Sequence, residues 1–579
     1  MFRFIYKFFY LVFVGIIIVG CSLFDDGFFE TKTDKVTREY VDSHRRITIT
    51  EIPELTDGKI LGKKLPNPYS MDVMSEAWEI LHPLTREDPD TTEHNLEATH
   101  IYIRMLPEDA SDVDWLLESD YEFFNYPLDY EILGDPDEYH DPSLLDSTVT
   151  WLYTVMPIDA SLPPMDYEIV DVCYIPDDEP QNNNPNGLTP IEQIAFGLIG
   201  GSELNDLGDI DWEEPEPGDG THPGGGTGGN GNLLQGDLTY RDSLLHETVG
   251  IKCVKVTLRQ GVKTQSVYTD ENGHYQMPNV FGASPKLIVT FQNSEGFSCH
   301  YGYRLYNGRY TKSIGIGLSW SIDSIEENKS WAMAIINNTA YEWYKYCETN
   351  YIQKPASDLR IKAIESGEKV AATLMMKHGM AFYATIAQII EFLNGINSGH
   401  ICTGPRLSLL SLTLQLFLPD IMVCGAEQRS SSSFYGSVMH ELSHASHFQQ
   451  LGTTNPARCL WWRDVFSYEA SCLINYSEPY GFSTDFGNGL CGVTEMWAHA
   501  ASDVLLKNKY NAYYPTKYWF KNKALEHLFD NGIISIKNAF DVLSPQVTNI
   551  DMFQYQLQQA FPQHSYVIDT TFSSPTFLP

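Results

Sequence analysis

Phe434 to Gln450 reads FYGSVMHELSHASHFQQ, and how this stretch folds decides what surrounds it. Serines 431–433 precede it, where a side-chain oxygen can cap the free N–H groups of a starting helix. Gly436 is the only residue in it that disfavours helix strongly. Positions four apart on a helix differ by about 40° around the axis and about 6 Å along it. His440 and His444 therefore face one point, with Glu441 one residue round. Two imidazoles so placed can share one zinc ion, which lowers the pKa of its water, and a carboxylate beside them can take the proton. The plain alternative is a surface helix that carries two histidines. The small residues Ser443, Ala445 and Ser446, which suit a central helix, and the apolar run Leu416–Cys424 before it, read as a strand, weigh against that.

The stretch Val438-Met439-His440-Glu441-Leu442-Ser443-His444-Ala445 is similar to the active-site helix of zincin peptidases. In those enzymes one subdomain supplies strand and helix, and the next supplies a third metal ligand. A metzincin needs glycine three residues after His444 and histidine six after; His447 and Gln450 stand there, which excludes that class. Glu495, in Cys491-Gly492-Val493-Thr494-Glu495-Met496-Trp497-Ala498-His499, resembles the third ligand of gluzincin-type enzymes, opening a second helix after the loop 480–492. Glu469 is the rival, because its distance from His444 fits the shorter-spaced, glycoprotein-directed gluzincins. His447 shares the ligand face but lies one turn on, and suits core or supporting duty. Better-known gluzincins often have aspartate four residues after the third ligand; here it is His499. That histidine can support a ligand, bind a developing oxyanion, or be a plain helix residue. Tyr510, Tyr513 and Tyr514 are further candidates for stabilising the transition state. The run Leu416–Cys424 is the expected edge strand on which a peptide would lie.

At 579 residues the chain is too long for one core. Its N-terminus carries Arg3 and Lys7, then an apolar run from Phe8 to Val19, then Gly20 and Cys21. That run is short of the ~20 residues a spanning helix needs, so a cleaved leader is expected. Ile18-Val19-Gly20-Cys21 resembles the bacterial lipobox, which implies lipid on Cys21 and a membrane anchor. Ser22-Leu23-Phe24-Asp25-Asp26 resembles the export signal that sends lipoproteins of Bacteroidota-type bacteria to the outer-membrane surface. The cysteines beyond Cys21 are thinly spread with no Cys-x-x-Cys pair, which argues against a disulfide scaffold or a thiolate zinc site. Of the net charge of −38, almost all falls between Ser22 and Gln235, where 47 acidic residues face 10 basic ones. Nucleic acid is excluded as a partner, because nothing there could neutralise phosphates.

The expected fold class is a multidomain α+β protein. Residues 1–20 form the leader and 21–46 a polar tether. Residues 47–210 form an acidic α+β domain, with strands at His100–Met105 and Trp151–Val155 and a helix at Met71–Leu81. Residues 211–232 are a Pro/Gly-rich linker. Residues 233–297 form a small all-β, immunoglobulin-like sandwich in which Val254–Leu258 and Leu287–Phe291 alternate at strand period around an Asp270–Gly273 turn. Gln235-Gly236-Asp237-Leu238 with Thr269–Tyr275 resembles the carboxypeptidase-regulatory-like module, a spacer in exported proteins. Residues 298–579 are the mainly α, zincin-like region, with apolar helix spacing at Ser330–Tyr346, Ala371–Leu393 and Ala524–Phe529. The function expected is a surface-anchored zinc peptidase acting on a protein or peptide substrate. The competing class is an adhesin or scaffold that keeps the fold without turnover; it would place no demand on Glu441 as a base.

Overall fold

The computed structural model describes residues 37–42, 45–51, 58–83, 96–107, 121–133, 139–144, 150–176, 188–199, 234–278, 285–301, 311–316, 318–323, 328–364, 371–376, 419–426, 429–452, 455–476 and 480–579, with a few single positions between them. The expected leader, Cys21 and the 211–232 linker lie outside these residues. The chain divides into two compact units, 1–54 and 55–579. In the first, β1 (Thr37–Asp42) and β2 (Arg45–Thr50) form an antiparallel hairpin, Thr37 opposite Thr50 and Asp42 opposite Arg45. The expected tether through residue 46 is thereby shortened. Its polar composition obscured the β-formers Thr37, Tyr40, Val41 and Ile47, which suit a paired strand.

The second unit begins with β3 (Leu61–Lys64), α1 (Met71–Leu81), β4 (His100–Leu106), β5 (Tyr130–Ile132), β6 (Leu152–Pro157), β7 (Asp166–Cys173) and α2 (Pro190–Leu198). Helix α1 has the expected bounds because the Ser70 side chain caps it, accepting from Val73 N. Strand β4 is flanked antiparallel by β6 and β7, and β3 pairs with β5.

There follow β8 (Gln235–Arg241), β9 (Thr248–Gly250), β10 (Val254–Gln260), β11 (Lys263–Tyr268), β12 (His274–Gln276), β13 (Lys286–Asn293), β14 (Ser298–Tyr301), β15 (Thr311–Ile316), β16 (Trp320–Ile322), α3 (Asn328–Asn350), β17 (Arg360–Ala363), β18 (Ala371–Thr373) and β19 (Ile421–Val423). One long sheet runs β11-β10-β13-β14-β17-β19-β18, with β15 also on β13. A smaller sheet holds β8, β9, β12 and β16. The 297/298 division expected from sequence falls inside the turn that joins β13 to β14, where Asn293 N bonds Phe297 O at 2.9 Å. Gly296 takes φ +99° there, and a Cβ would stand 2.6 Å from Ser357 O, so the turn needs glycine. Strand β16, from beyond the division, pairs in parallel with β8. One apolar core accordingly spans Leu238 to Phe572.

Every residue of β10 is buried, which one-sided alternation does not predict. The acidic region covers the second face. Lys255 Nζ lies 2.8 Å from Glu122 Oε2, Thr290 Oγ1 donates to Glu122 Oε1 at 2.6 Å, and Lys263 Nζ lies 3.3 Å from Glu192 Oε1. Val262 and Ile288 join Tyr69, Tyr102 and Phe196 in a second core beneath these pairs.

The chain closes with α4 (Ser431–Gln450), α5 (Asn455–Tyr476), α6 (Gly489–Tyr510), α7 (Asn522–Asp530), α8 (Ile536–Val542), α9 (Ile550–Ala560) and α10 (Ser565–Ser573). The protein is thus α+β, with mixed sheets and helices concentrated toward the C-terminus. Two local expectations are corrected. Ala371–Thr373 is a strand and not the start of a helix, because pairing with β19 overrides its helical spacing; most of the remainder to Leu393 lies outside the described residues. The strand after Leu416 is β19, and it has β17 on one side and β18 on the other, so it is an inner strand. Among the described residues, β18 holds the end position of the sheet. No helix among the described residues is long and apolar enough to cross a membrane.

Candidate metal centre

Helix α4 starts where Ser430 caps it, its hydroxyl accepting from Ser433 N at 3.3 Å. From Val438 to Phe448 the helix is buried on every side, packed among α3, α6, β18 and β19. Small residues permit this. Trp343 Nε1 donates to Ser446 Oγ at 3.0 Å and Trp497 Nε1 to Ser443 O at 3.2 Å, so two indoles lie against positions where a large side chain would not fit. Gly436, which sequence marks as a weak point, is needed for a similar reason: a Cβ there would meet the Tyr514 ring at 3.0 Å.

Three of the expected residues converge. His440 Nε2 and His444 Nε2 are 3.0 Å apart, Glu495 Oε1 is 3.0 Å from His444 Nε2, and Glu495 Oε2 is 3.3 Å from His440 Nε2. Helix α6 delivers Glu495 from its second turn, the helix beginning at Gly489, a little ahead of the expected start. Donors held ~2.0–2.1 Å from one tetrahedral ion would stand about 3.3–3.4 Å apart, so this donor set fits zinc after small adjustment. Two imidazoles and a carboxylate are also the right donor types. The site is almost closed to solvent, with Glu495 3% and His444 4% exposed.

The titration directions follow from this crowding. Burial alone pushes His440 down, but the Glu495 carboxylate beside it more than offsets that, and its pKa lies above the ordinary value. Burial likewise opposes ionisation of Glu495, yet His444 and His440 hold it well below the usual carboxylate range. Glu441 goes the other way. Burial raises its carboxyl, and the two histidines and Thr373 only partly counter this. Thr373 Oγ1, on β18, lies 2.8 Å from both Glu441 Oε2 and the Glu441 carbonyl oxygen, which fixes the carboxylate beside the histidines.

The other candidates fall in different places. Glu469 lies on α5, and its carboxyl is raised by burial and by the Glu495 and Glu441 charges. It feels the site's field, but Glu495 is the carboxylate in contact with both histidines. His447 is fully buried against Trp461 and Trp462, and burial pushes its pKa down to about 3, so it is a neutral ring in an aromatic layer. His499 stands one turn after Glu495, with Nε2 3.7 Å from Glu495 Oε2. Tyr510 donates to Asp242 Oδ2 at 2.7 Å and is tied to the β8 end of the fold. Tyr513 is exposed, whereas Tyr514 lies over Gly436, one turn before His440.

Sequence reasoning missed Thr373, and also Tyr480, Tyr518 and Phe520, whose rings surround His499. Thr373 carried no signal, because its contact spans 68 residues of chain. The Tyr518-Trp519-Phe520 run was a cue, as three consecutive aromatics in a polar segment need something to cover. No protein-family model matches the chain, and no curated protein matches it.

Proposed function

We propose that the chain is a zinc-dependent peptidase of the zincin type, with a gluzincin-like donor set, that hydrolyses peptide bonds of proteins or glycoproteins. The observation that carries this is the convergence of His440, His444 and Glu495 at 3.0–3.3 Å beside a tethered Glu441. His440, His444 and Glu495 would hold the ion, which supplies acidification of water and polarisation of the scissile carbonyl. Glu441 accepts a proton from the attacking water and passes it to the leaving amine. A carboxyl raised by burial suits both halves of that transfer, since a base poised nearer neutrality also serves as the acid. Strand β18, which bears Thr373 and ends the sheet among the described residues, is the strand on which an extended peptide could add.

The same proposal includes the finer fold reading: a zincin-like helix-on-sheet unit fused to an immunoglobulin-like β-sandwich of carboxypeptidase-regulatory type. It also includes an outer-membrane anchor through lipid on Cys21, for which the apolar run 8–19 and the Cys21 context are the support. Labelling with a palmitate analogue tests the anchor: label should vanish in Cys21→Ser, and label that persists overturns it.

The activity is tested on a denatured protein substrate with and without chelator. Cleavage should be zinc-dependent. Glu441→Gln should keep the metal and lose more than ~10²-fold in rate, because the amide preserves size but cannot take the proton. Turnover retained in that variant would require another base.

A further inference from the structure

We propose that His499 is a fourth protein donor of the centre, so that the ion would be held by three imidazoles and one carboxylate. This rests on the proposal that the centre holds a divalent metal. The ligand atoms of His440, Glu495 and His499 all lie within 4.8 Å of one another, and the His440 and His499 ring centroids are 4.4 Å apart. His499 follows Glu495 by four residues on α6, so both side chains leave the same helix face. Its Nε2 is buried and has no hydrogen-bond partner among the described residues, and the same holds for Glu495 Oε2. A supporting role would have Nε2 donating to that carboxylate, but 3.7 Å is too long for such a bond. The ring is also aimed. Tyr518 lies 4.8 Å away at 34°, Phe520 5.6 Å away at 24°, and Tyr480 meets it edge-on at 5.8 Å. Three aromatic rings hold the imidazole while its polar edge faces the donors. A buried, fixed and unpartnered nitrogen at this range is what a ligand looks like before the ion enters, and zinc in catalytic sites sometimes expands beyond four donors.

The test uses full-length protein loaded with zinc or with cobalt(II), whose visible absorption reports coordination directly. His499→Phe keeps a ring in the stack and removes only the nitrogen. It should bind zinc more than ~100-fold more weakly, beyond the loss expected of an outer partner, and shift the cobalt spectrum. In His499→Ala, added imidazole should fill the space and restore the wild-type spectrum, which a merely structural role would not allow. Tyr518→Leu, which loosens the stack but leaves the nitrogen, should keep the spectrum. An unchanged cobalt spectrum in both His499 variants overturns the proposal and leaves the three-donor centre standing. Wild-type protein that takes up neither metal overturns both. Thermal melts of each variant identify one that has failed to fold, and His499→Phe then decides.

Discussion

Glu495→Gln is the sharpest test of the centre, because it exchanges one heavy atom at a point where the structure concentrates charge. The glutamate is 3% exposed, with its oxygens 3.0 and 3.3 Å from the two ring nitrogens. In the loaded centre the rings are neutral, so the charge that the carboxylate faces there is the dication, an attraction of several kcal/mol even at an effective dielectric of ~20. The glutamine amide is close to isosteric but neutral, so it loses this attraction as well as one ligand. We expect zinc affinity to fall by at least ~10³-fold, roughly 4 kcal/mol, since each tenfold is about 1.4 kcal/mol. Glu469→Gln, which touches neither histidine, should cost no more than the ~10- to 100-fold of an outer partner. The assay is metal content of purified protein with a competing-chelator titration, and thermal melts beside it. A Glu469→Gln protein that empties while Glu495→Gln stays loaded would refute the assignment and move the centre onto α5.

Thr373→Val should leave metal content unchanged but lower the turnover rate by ~10- to 100-fold, because Glu441 loses the hydroxyl that orients Oε2; an unchanged rate would show the contact is idle. Zinc affinity should fall with decreasing pH from above the ordinary histidine value of about 6.5. Glu495 raises His440, and that proton must leave before the ring can ligate, so a metal titration flat between pH 7.5 and 6 would contradict the direction. Lys255→Met should destabilise the second unit by about 3–5 kcal/mol in urea unfolding, since it leaves the Glu122 carboxylate buried with its cation gone; a loss under 1 kcal/mol would mean that face is wet.

What was legible in the sequence was what depends on local spacing. The i, i+4 histidines needed only the geometry of one helix, and α1 needed only Ser70 and a periodic run. The rest depended on pairings far apart in sequence. Strand β10 resembles any half-buried strand until Glu122, 133 residues earlier, is seen to cover its second face and make Lys255 an interior residue. Likewise β18 is three residues long, and nothing in Ala371-Ala372-Thr373 distinguishes the end of a sheet from the start of a helix.

The misplaced edge strand shows how such an error reaches the chemistry. The apolar run just before the histidine helix suggests, from sequence, the strand that would receive substrate. Apolarity on both sides is the mark of an inner strand, and β19 is buried at all three positions with a partner on each side. Strand β18 has a neighbour on one side only among the described residues; Ala371 is partly exposed there, while Ala372 and Thr373 are buried. The correction puts the Thr373 hydroxyl and the end of the sheet, among the described residues, on the same three residues. A peptide added along β18 would therefore pass directly beside the carboxylate that Thr373 holds, so substrate alignment and orientation of the base depend on one strand.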